Sequence, residues 1–449
     1  MSGSVVLELD DIQSGLLRPR PTPYAATYLA FRIDVPAAGR ELMRRLCDVI
    51  ASAAHPSSPA GDTWVSVALT FVGLRVLGVP LASLGSFAWE LQQGMAARAD
   101  ALGDTGESSP EHWEYPLGTS DVHVVITAVA PDRDRLELAV ARARDTYESL
   151  SGVEAIWRQN CHALSTEREP FGYRDGISHP AIEGSGIAGS NPHEQPLKPG
   201  ELVLGYPDEL DPRPPIPQPA ILGRNGTYVV FRKLHQRVAA FRQFLATHGQ
   251  DPELLAAKMM GRWRSGAPLA RCPLHDDPAL GADRTRNNDF DYADDPIGYK
   301  TPPGSHARRA NPRDAAVAGV VRLHRMIRRG TAYGPELPEG VLDDDGADRG
   351  LMFAFVGAHI GRQFEFVQSE WINGGAFLGL GELKDPIAGD HEGDDGSFAF
   401  PNRPIPRRVH GLARFVVTRG GEYCFMPGLR ALRWLAELHA CGNPNINHD

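Results

Sequence analysis

Cysteine is scarce in this chain, with five residues among 449. An odd number at irregular spacing, without a Cys-x-x-Cys pair, argues against a disulfide scaffold, a zinc ribbon and an iron–sulfur cluster. This cysteine usage is typical of a protein from a reducing compartment. The five are Cys47, Cys161, Cys272, Cys424 and Cys441.

Targeting signals are also missing. The N-terminal stretch MSGSVVLELDDIQ has no basic start followed by an apolar run. A membrane span needs about 18 consecutive apolar residues, and no such run occurs. We therefore expect no signal peptide, no membrane contact and a cytoplasmic location, with leaderless export or packaging inside a protein shell left open.

Several functional motifs are absent as well. The chain has no Walker loop, no G-x-S-x-G elbow and no H-E-x-x-H sequence, which argues against P-loop nucleotide binding and two common hydrolase classes. The net charge of -10 offers no general attraction for phosphate, so no nucleic-acid partner is expected. With 42% hydrophobic residues, the chain can still bury a sizeable core.

The first half of the chain alternates between strand-like and helix-like patterns. The order is β-α-β-β-α-β, with a long insertion at 72–121, and this order is typical of the ferredoxin-like module. Predicted strands cover 28–33, 64–71, 122–129 and 153–164, and predicted helices cover 36–54 and 132–150.

The second half has a similar order with larger insertions. The proline-rich segment 199–222 marks the boundary between the halves. We predict an α+β fold of two ferredoxin-like domains, 1–215 and 216–449, with antiparallel sheets and peripheral helices. In this half, strands are predicted at 227–234 and 351–358, a hairpin at 414–427 around Gly420-Gly421, and helices at 235–249, 320–327, 359–373 and 429–440.

A carboxylate lies between two glycines in the stretch FGYRDG, 171–176. Asp-Gly pairs are strong turn signals, and most of them are only turns. Asp175 is therefore either a simple turn residue or a carboxylate that a tight loop presents to a site. The loop alone leaves both interpretations open.

Two further stretches carry candidate chemistry. In PGSHARRANPRD, 303–314, His306 is followed by Arg308, Arg309 and Arg313. This is either a basic surface loop or a haem ligand with arginines that pair with the haem propionates. In RLHRMIRRGTAYGPEL, 322–337, Arg328 is an ordinary cation at a predicted helix end when taken alone.

Together, these stretches supply what peroxide cleavage on haem requires. One protein ligand holds the iron, an acid/base moves a proton between the two peroxide oxygens, and a cation stabilises the departing negative oxygen.

At this point the chain resembles the dye-decolourising peroxidase family, in its longer form. FGYRDG is similar to the G-x-x-D-G signature of that family, GSHARRANPR (304–313) to its haem-ligand segment, and IRRGTAYG (327–334) to its distal-arginine segment. Flanking segments appear in the family's order as well. They include DIQSGLLRP (11–19), NGTYVVFRKLHQ (225–236), KMMGRWRSGAPL (258–269) and GLMFAFVGAHIGRQFEFVQSEW (350–371).

The resemblance implies one b-type haem per chain, held mainly by the C-terminal domain. It implies Asp175 as the distal acid/base, His306 as the axial iron ligand and Arg328 as the distal cation. Arg329 is the competitor, and Tyr333, five residues beyond Arg328, favours Arg328. The family often has Cys-Pro before Gly-x-His, whereas this chain has Thr-Pro-Pro at 301–303. That cysteine is not a ligand, so haem binding is expected to be retained.

The resemblance also implies hydrogen peroxide and dyes or phenolic compounds as substrates, with Mn(II) as an extension through the acidic runs Asp343–Asp345 and Asp394-Asp395. Because a carboxylate base titrates at lower pH than histidine, activity is expected to be greatest at acidic pH. Trp371 or Tyr333 would carry electrons to the surface, unless both are core residues. The alternative function is haem storage, delivery or iron release with incidental turnover. Homo-oligomerisation is left open.

Overall fold

The computed structural model describes residues 6–54, 62–315, 320–376, 379–393 and 395–438. Its strands are β1 (Ala25–Ile33), β2 (Trp64–Leu69), β3 (Val124–Ala130), β4 (Val153–His162), β5 (Thr227–Gln236), β6 (Ile327–Arg328), β7 (Thr331–Tyr333), β8 (Gly350–Gly357), β9 (Gly396–Phe400), β10 (Arg407–Leu412) and β11 (Val416–Met426).

The helices of the described ranges are mostly short. The α-helices are α1 (Ser14–Leu17), α2 (Pro36–Leu46), α3 (Phe71–Val76), α4 (Leu81–Leu84), α5 (Trp89–Gln93), α6 (Ala99–Leu102), α7 (Arg133–Tyr147), α8 (Ala220–Gly223), α9 (Val238–His248), α10 (Pro252–Met260), α11 (Pro278–Ala282), α12 (His306–Ala310) and α13 (Leu429–Ala436). Single 3₁₀ turns cover Ala96–Arg98, Gly106–Ser108, Pro110–His112, Pro199–Glu201 and Val321–His324, and π-helical turns cover Ile360–Glu365 and Val367–Ile372. None of these helices is long and apolar enough to cross a bilayer.

One antiparallel sheet runs through both halves of the chain. Its first half has the order β4-β1-β3-β2, and its second half has the order β11-β5-β8-β6, with β7 also on β8. Each half therefore has the strand order of a ferredoxin-like module, and they meet where Phe425 of β11 pairs with Leu69 of β2. The predicted α+β class with two ferredoxin-like units is confirmed. The exact boundary at 215 and 216 stays a prediction.

The two faces of the sheet bury different cores. Helices α2, α7 and α13 pack with the 360–372 segment on one face, around residues such as Leu42, Phe355 and Leu432. On the other face, Tyr28 of β1 and Thr331 of β7 share a hydrogen bond of 3.0 Å. This contact links the two halves of the sheet around a second apolar core.

Most predicted elements are confirmed. The helix predicted at 36–54 ends early, at Leu46, and the other ends differ by a few residues. The helix predicted at 429–440 ends at Ala436, and residues 439–440 lie outside the described ranges. The four cysteines that the structure describes are free thiols, and Cys441 lies outside those ranges.

The predicted hairpin at 414–427 is wrong. Val416–Met426 is a single strand that pairs with β5, and the register shifts between Thr418 and Gly420. The glycine pair therefore forms a β-bulge, which inserts one extra residue without reversing the chain. Glycine is required at Gly420 because φ is +147° and a Cβ would lie 2.5 Å from the Cβ of Leu117.

The predicted helix at 320–327 is also wrong. Residues 316–319 lie outside the described ranges; beyond them, a 3₁₀ turn at Val321–His324 leads into β6. Ile327 and Arg328 pair with Val356 and Phe355 of β8, so tertiary pairing overrides the local helical pattern. Strands β9 and β10 form a two-stranded hairpin that the sequence pattern did not predict.

Candidate active site

The three predicted site residues line one cavity. It has a volume of about 300 Å³ and includes Asp175, His306 and Arg328 among its lining residues. Most of the wall comes from the C-terminal half, with apolar side chains such as Phe353 and Phe364 from β8 and the π-helical segment. The convergence that the sequence implied is therefore present in the fold.

His306 begins helix α12, directly after Ser305. Its Nδ1 lies 2.9 Å from Oδ2 of Asp385. The other carboxylate oxygen of Asp385 accepts hydrogen bonds from the backbone N–H groups of Ile387 (2.8 Å) and Ala388 (2.9 Å). Nδ1 is thus fixed as the donor, and Nε2 is the nitrogen that remains free to bind a metal.

Asp385 is a functional residue that the sequence did not reveal. It is fully buried. Burial alone would raise its pKa, but the charge and hydrogen bond of His306, the charge of Arg309 and the Ala388 N–H lower the pKa overall. The carboxylate therefore stays ionised opposite the imidazole. Its only signal was an aspartate before proline in an aperiodic segment, which is too common to indicate a role.

Asp175 lies in a tight turn between two glycines. Gly172 and Gly176 both have positive φ, +94° and +75°, which glycine adopts without steric cost. Glu169 accepts the backbone N–H groups of Phe171 (3.1 Å) and Tyr173 (2.9 Å). These contacts fix the turn that presents Asp175 to the cavity, where the side chain remains exposed.

Strand alternation separates the two candidate arginines. Arg328 pairs with Phe355 on the cavity face of the sheet. Arg329 points to the opposite face, where its Nη2 donates to the carbonyl oxygen of Leu17 at 3.0 Å. Successive side chains of a strand lie on opposite faces, so Arg328 alone of the two lines this cavity.

The guanidinium of Arg328 differs from the other arginines of the wall. Burial lowers its pKa, and the charge of Asp175 opposes that shift, so the two groups interact electrostatically. Among the described residues, no group accepts a hydrogen bond from the Arg328 guanidinium. The other lining arginines are bonded to protein groups; they are Arg174, Arg232, Arg262, Arg313, Arg325 and Arg414.

Of the three arginines that follow His306, Arg313 lines the cavity, whereas Arg308 and Arg309 contact carbonyl oxygens of the protein. Arg308 donates to the carbonyl oxygens of Asp295 (3.0 Å) and Thr301 (2.7 Å). Arg309 donates to the carbonyl oxygen of Trp371 (2.6 Å). Neither lines the cavity, so both brace the loops that carry the histidine.

The two aromatic residues suggested as surface electron carriers are buried. Trp371 is 3% exposed and Tyr333 is 1% exposed. The ring of Trp371 packs against His324 and Phe366 at centroid distances of 5.0 and 5.6 Å. Both residues therefore belong to the core, and the prediction that they lie at the surface is wrong.

These features fit a haem group. The cavity combines apolar walls, a histidine whose outer nitrogen is anchored by a buried carboxylate, and a guanidinium without a protein partner. A neutral imidazole nitrogen is a common axial ligand of haem iron. A guanidinium without a protein partner can donate one or two hydrogen bonds to an anionic group or to an oxygen on which negative charge develops.

Comparison with known proteins supports the same assignment. No protein-family model matches the chain. A dye-decolorizing peroxidase from Mycetinis scorodonius is 30% identical over 467 residues, covering 96% of this chain and 88% of that protein.

Solved structures agree with the fold. A DyP-type peroxidase from Auricularia auricula-judae superposes with a TM-score of 0.82 at 27% identity, covering 96% of this chain and all of that one. A dye-decolorizing peroxidase solved with 2,6-dimethoxyphenol gives the same TM-score, identity and coverage. The chain therefore belongs to the dye-decolourising peroxidase family, and it is a haem enzyme that uses peroxide to oxidise small-molecule reductants.

Proposed function

We propose that this protein couples reduction of hydrogen peroxide to oxidation of dyes and phenolic compounds, with Asp175 as distal acid/base, Arg328 as distal cation and His306 as axial ligand. The observation that carries these roles is the set of side chains that line one cavity. They include an accessible carboxylate beside a guanidinium without a protein partner, together with a histidine anchored through Nδ1. When bound, haem supplies the iron and the electrons that cleave the peroxide O–O bond.

The roles of the side chains follow from their chemistry. The carboxylate of Asp175 accepts a proton from one peroxide oxygen and returns it to the other, which leaves as water. Arg328 donates hydrogen bonds to the oxygen on which negative charge develops. No acceptor among the described residues binds the Arg328 guanidinium. Its N–H groups therefore break no protein hydrogen bond when they donate to the peroxide oxygen. Asp385 keeps the donor hydrogen on Nδ1 of His306.

The phenolic reductant is proposed from the relative that was solved with 2,6-dimethoxyphenol. The acidic runs considered for Mn(II) give no comparable support. The carboxylate of Asp345 pairs with Arg349 at 2.6 Å, and Asp394 lies outside the described residues. Within the described ranges, no group of three or more His, Cys, Asp or Glu side chains is placed to hold a metal ion.

The test is the reaction of Asp175→Asn with peroxide, followed by stopped-flow absorbance of the Soret band. We expect normal haem content and a second-order rate constant lower by about 10²–10⁴-fold. Arg174→Gln is the matched control, because this neighbour lines the same cavity but donates to the carbonyl oxygen of Gly281 (3.1 Å).

The alternative, a protein for haem storage, delivery or iron release, makes a different prediction. A carrier does not need a distal base, so Asp175→Asn would react with peroxide as fast as the wild type. Iron release would bleach the Soret band without turnover of a dye. Either result would reject the proposed acid/base role.

A further inference from the structure

A second, small cavity lies against the sheet, on the face opposite the haem cavity. Its volume is about 40 Å³, above the roughly 10–15 Å³ that one water molecule needs and far too small for an aromatic reductant. Its wall is formed by both halves of the sheet. The lining residues include Arg20, Trp64, Ser66, Thr127 and Arg329.

The polar groups of this wall are mostly donors without partners. Ser66 is 3% exposed, and its hydroxyl has no hydrogen-bond partner in the described structure; the same holds for the Thr127 hydroxyl and for Nε of Arg329. Ser66 and Thr127 are directly paired across β2 and β3, so their hydroxyls belong to one row. Such buried groups normally find a partner.

Gly15 opens space beside these donors. A Cβ at this position would lie 2.3 Å from Oγ of Ser66 and 3.2 Å from Nε1 of Trp64. The indole N–H and the serine hydroxyl therefore approach the same point from one strand, where they are two residues apart and share a face. Any larger residue at Gly15 would displace the serine hydroxyl.

The charges in this region are also uncompensated. Arg329 donates through Nη2 to the carbonyl oxygens of Leu16 (3.5 Å) and Leu17 (3.0 Å). Arg20 lies over the ring of Tyr24 at 3.8 Å. Neither guanidinium forms an ion pair within the described part of the chain, and no carboxylate lines the cavity. Burial and the nearby charge of Arg20 lower the pKa of Arg329 to about 9.

We propose that this cavity binds a small monovalent inorganic anion of the halide class, held by Arg329 and Arg20 together with the hydroxyl and indole donors of Ser66, Thr127 and Trp64. Water could satisfy the hydroxyls but would leave two neighbouring cations without a counter-charge. Both arginines are half-buried. A charge that is partly removed from water without a counter-charge is costly, and an ion pair with hydrogen bonds removes most of that cost. The size of the cavity restricts the ligand to one or a few atoms.

The first test uses bromide as the probe. Crystals of the wild-type holoenzyme grown in sodium bromide are measured at the bromine absorption edge. We expect an anomalous peak within hydrogen-bonding distance of Arg329 and Ser66. A map that shows water density and no anomalous peak in this cavity would overturn the proposal. The position of the peak distinguishes this site from any halide that binds near Arg328.

The second test works in solution. A ligand that binds only the folded state raises Tm with its concentration. We expect Tm of the wild-type holoenzyme to rise with sodium chloride beyond its rise in sodium gluconate at the same ionic strength. Ser66→Ala and Arg329→Met should lose this chloride-specific increase.

Arg242→Met is the matched control, because Arg242 also donates to backbone carbonyl oxygens, those of Leu337 (3.0 Å) and Val341 (3.0 Å), but lies outside the cavity. It should keep the chloride response. If Arg329→Met does not fold, Ser66→Ala and the bromide crystal still decide the matter. An unchanged chloride response in Ser66→Ala, with no bromide peak, would refute the anion site.

Discussion

Replacement of Asp385 by asparagine tests how the fold prepares His306 for iron. Asparagine is nearly the same size but offers one oxygen where the carboxylate offers two. In the wild type, one oxygen accepts from His306 (2.9 Å) and the other accepts from the N–H groups of Ile387 and Ala388 (2.8 and 2.9 Å). An amide cannot satisfy both sides at once.

Each orientation of the amide has a defined cost. If its oxygen faces Ile387 and Ala388, its NH₂ faces Nδ1 of His306. The imidazole must then accept at Nδ1 and carry its proton on Nε2, where the iron should bind. If the oxygen faces His306 instead, two buried N–H groups lose their acceptor, at about 1–3 kcal/mol for each unsatisfied group.

We therefore expect Asp385→Asn to weaken haem binding by about 10–100-fold, the usual effect of losing such a partner. That range equals roughly 1.4–2.8 kcal/mol, comparable to the cost of one or two unsatisfied N–H groups. The assay is a Soret titration of apoprotein with haem, combined with the rate of haem loss to a strong acceptor protein.

Asp390→Asn is the control, because Asp390 lines the same cavity but pairs with Lys384 (2.7 Å). Thermal unfolding of both apoproteins separates haem affinity from general loss of structure. If Asp385→Asn retains wild-type haem affinity while the apoprotein is equally stable, the argument that Asp385 fixes the tautomer of His306 is refuted.

Three further predictions concern the cavity and the core. Arg328→Leu should slow the peroxide reaction by about 10²–10³-fold, the usual loss for one donor to a developing charge, whereas Arg174→Gln should not; equal rate constants for Arg328→Leu and wild type in stopped-flow would contradict this. Gly330→Ala places a Cβ 3.2 Å from Oδ2 of Asp175, so it should slow the same step without loss of haem, and normal kinetics would show that Asp175 can shift freely. Burial raises the pKa of Glu422 to about 8 from 4.5. The folded state therefore binds an extra proton, and the wild type should lose stability relative to Glu422→Gln, by at most about 1.4 kcal/mol per pH unit, as pH rises from 4.5 to 8. Parallel denaturation curves of the two proteins across that window would exclude a buried protonated carboxyl.

The sequence by itself determined the class of the fold and indicated three candidate site residues that the structure brings to one cavity. The alternation of strand and helix patterns gave two ferredoxin-like units, because hydrophobic periodicity is a local property of the chain. Asp175 and His306 were found because short motifs surround them, and Arg328 because Tyr333 follows at a fixed distance. The structure places all three around one cavity, as that reasoning requires.

Only the tertiary structure decided the features that depend on partners far away in the chain. Asp385 contacts a histidine 79 residues earlier, and no local pattern encodes such a contact. Gly420 forms a bulge instead of a turn because β5 continues beside it, and Arg328 lies on a strand because β8 offers unpaired backbone groups. The separation of Arg328 and Arg329 into two cavities has the same origin: a sheet has two faces, and its pairing decides which side chain lies on which face.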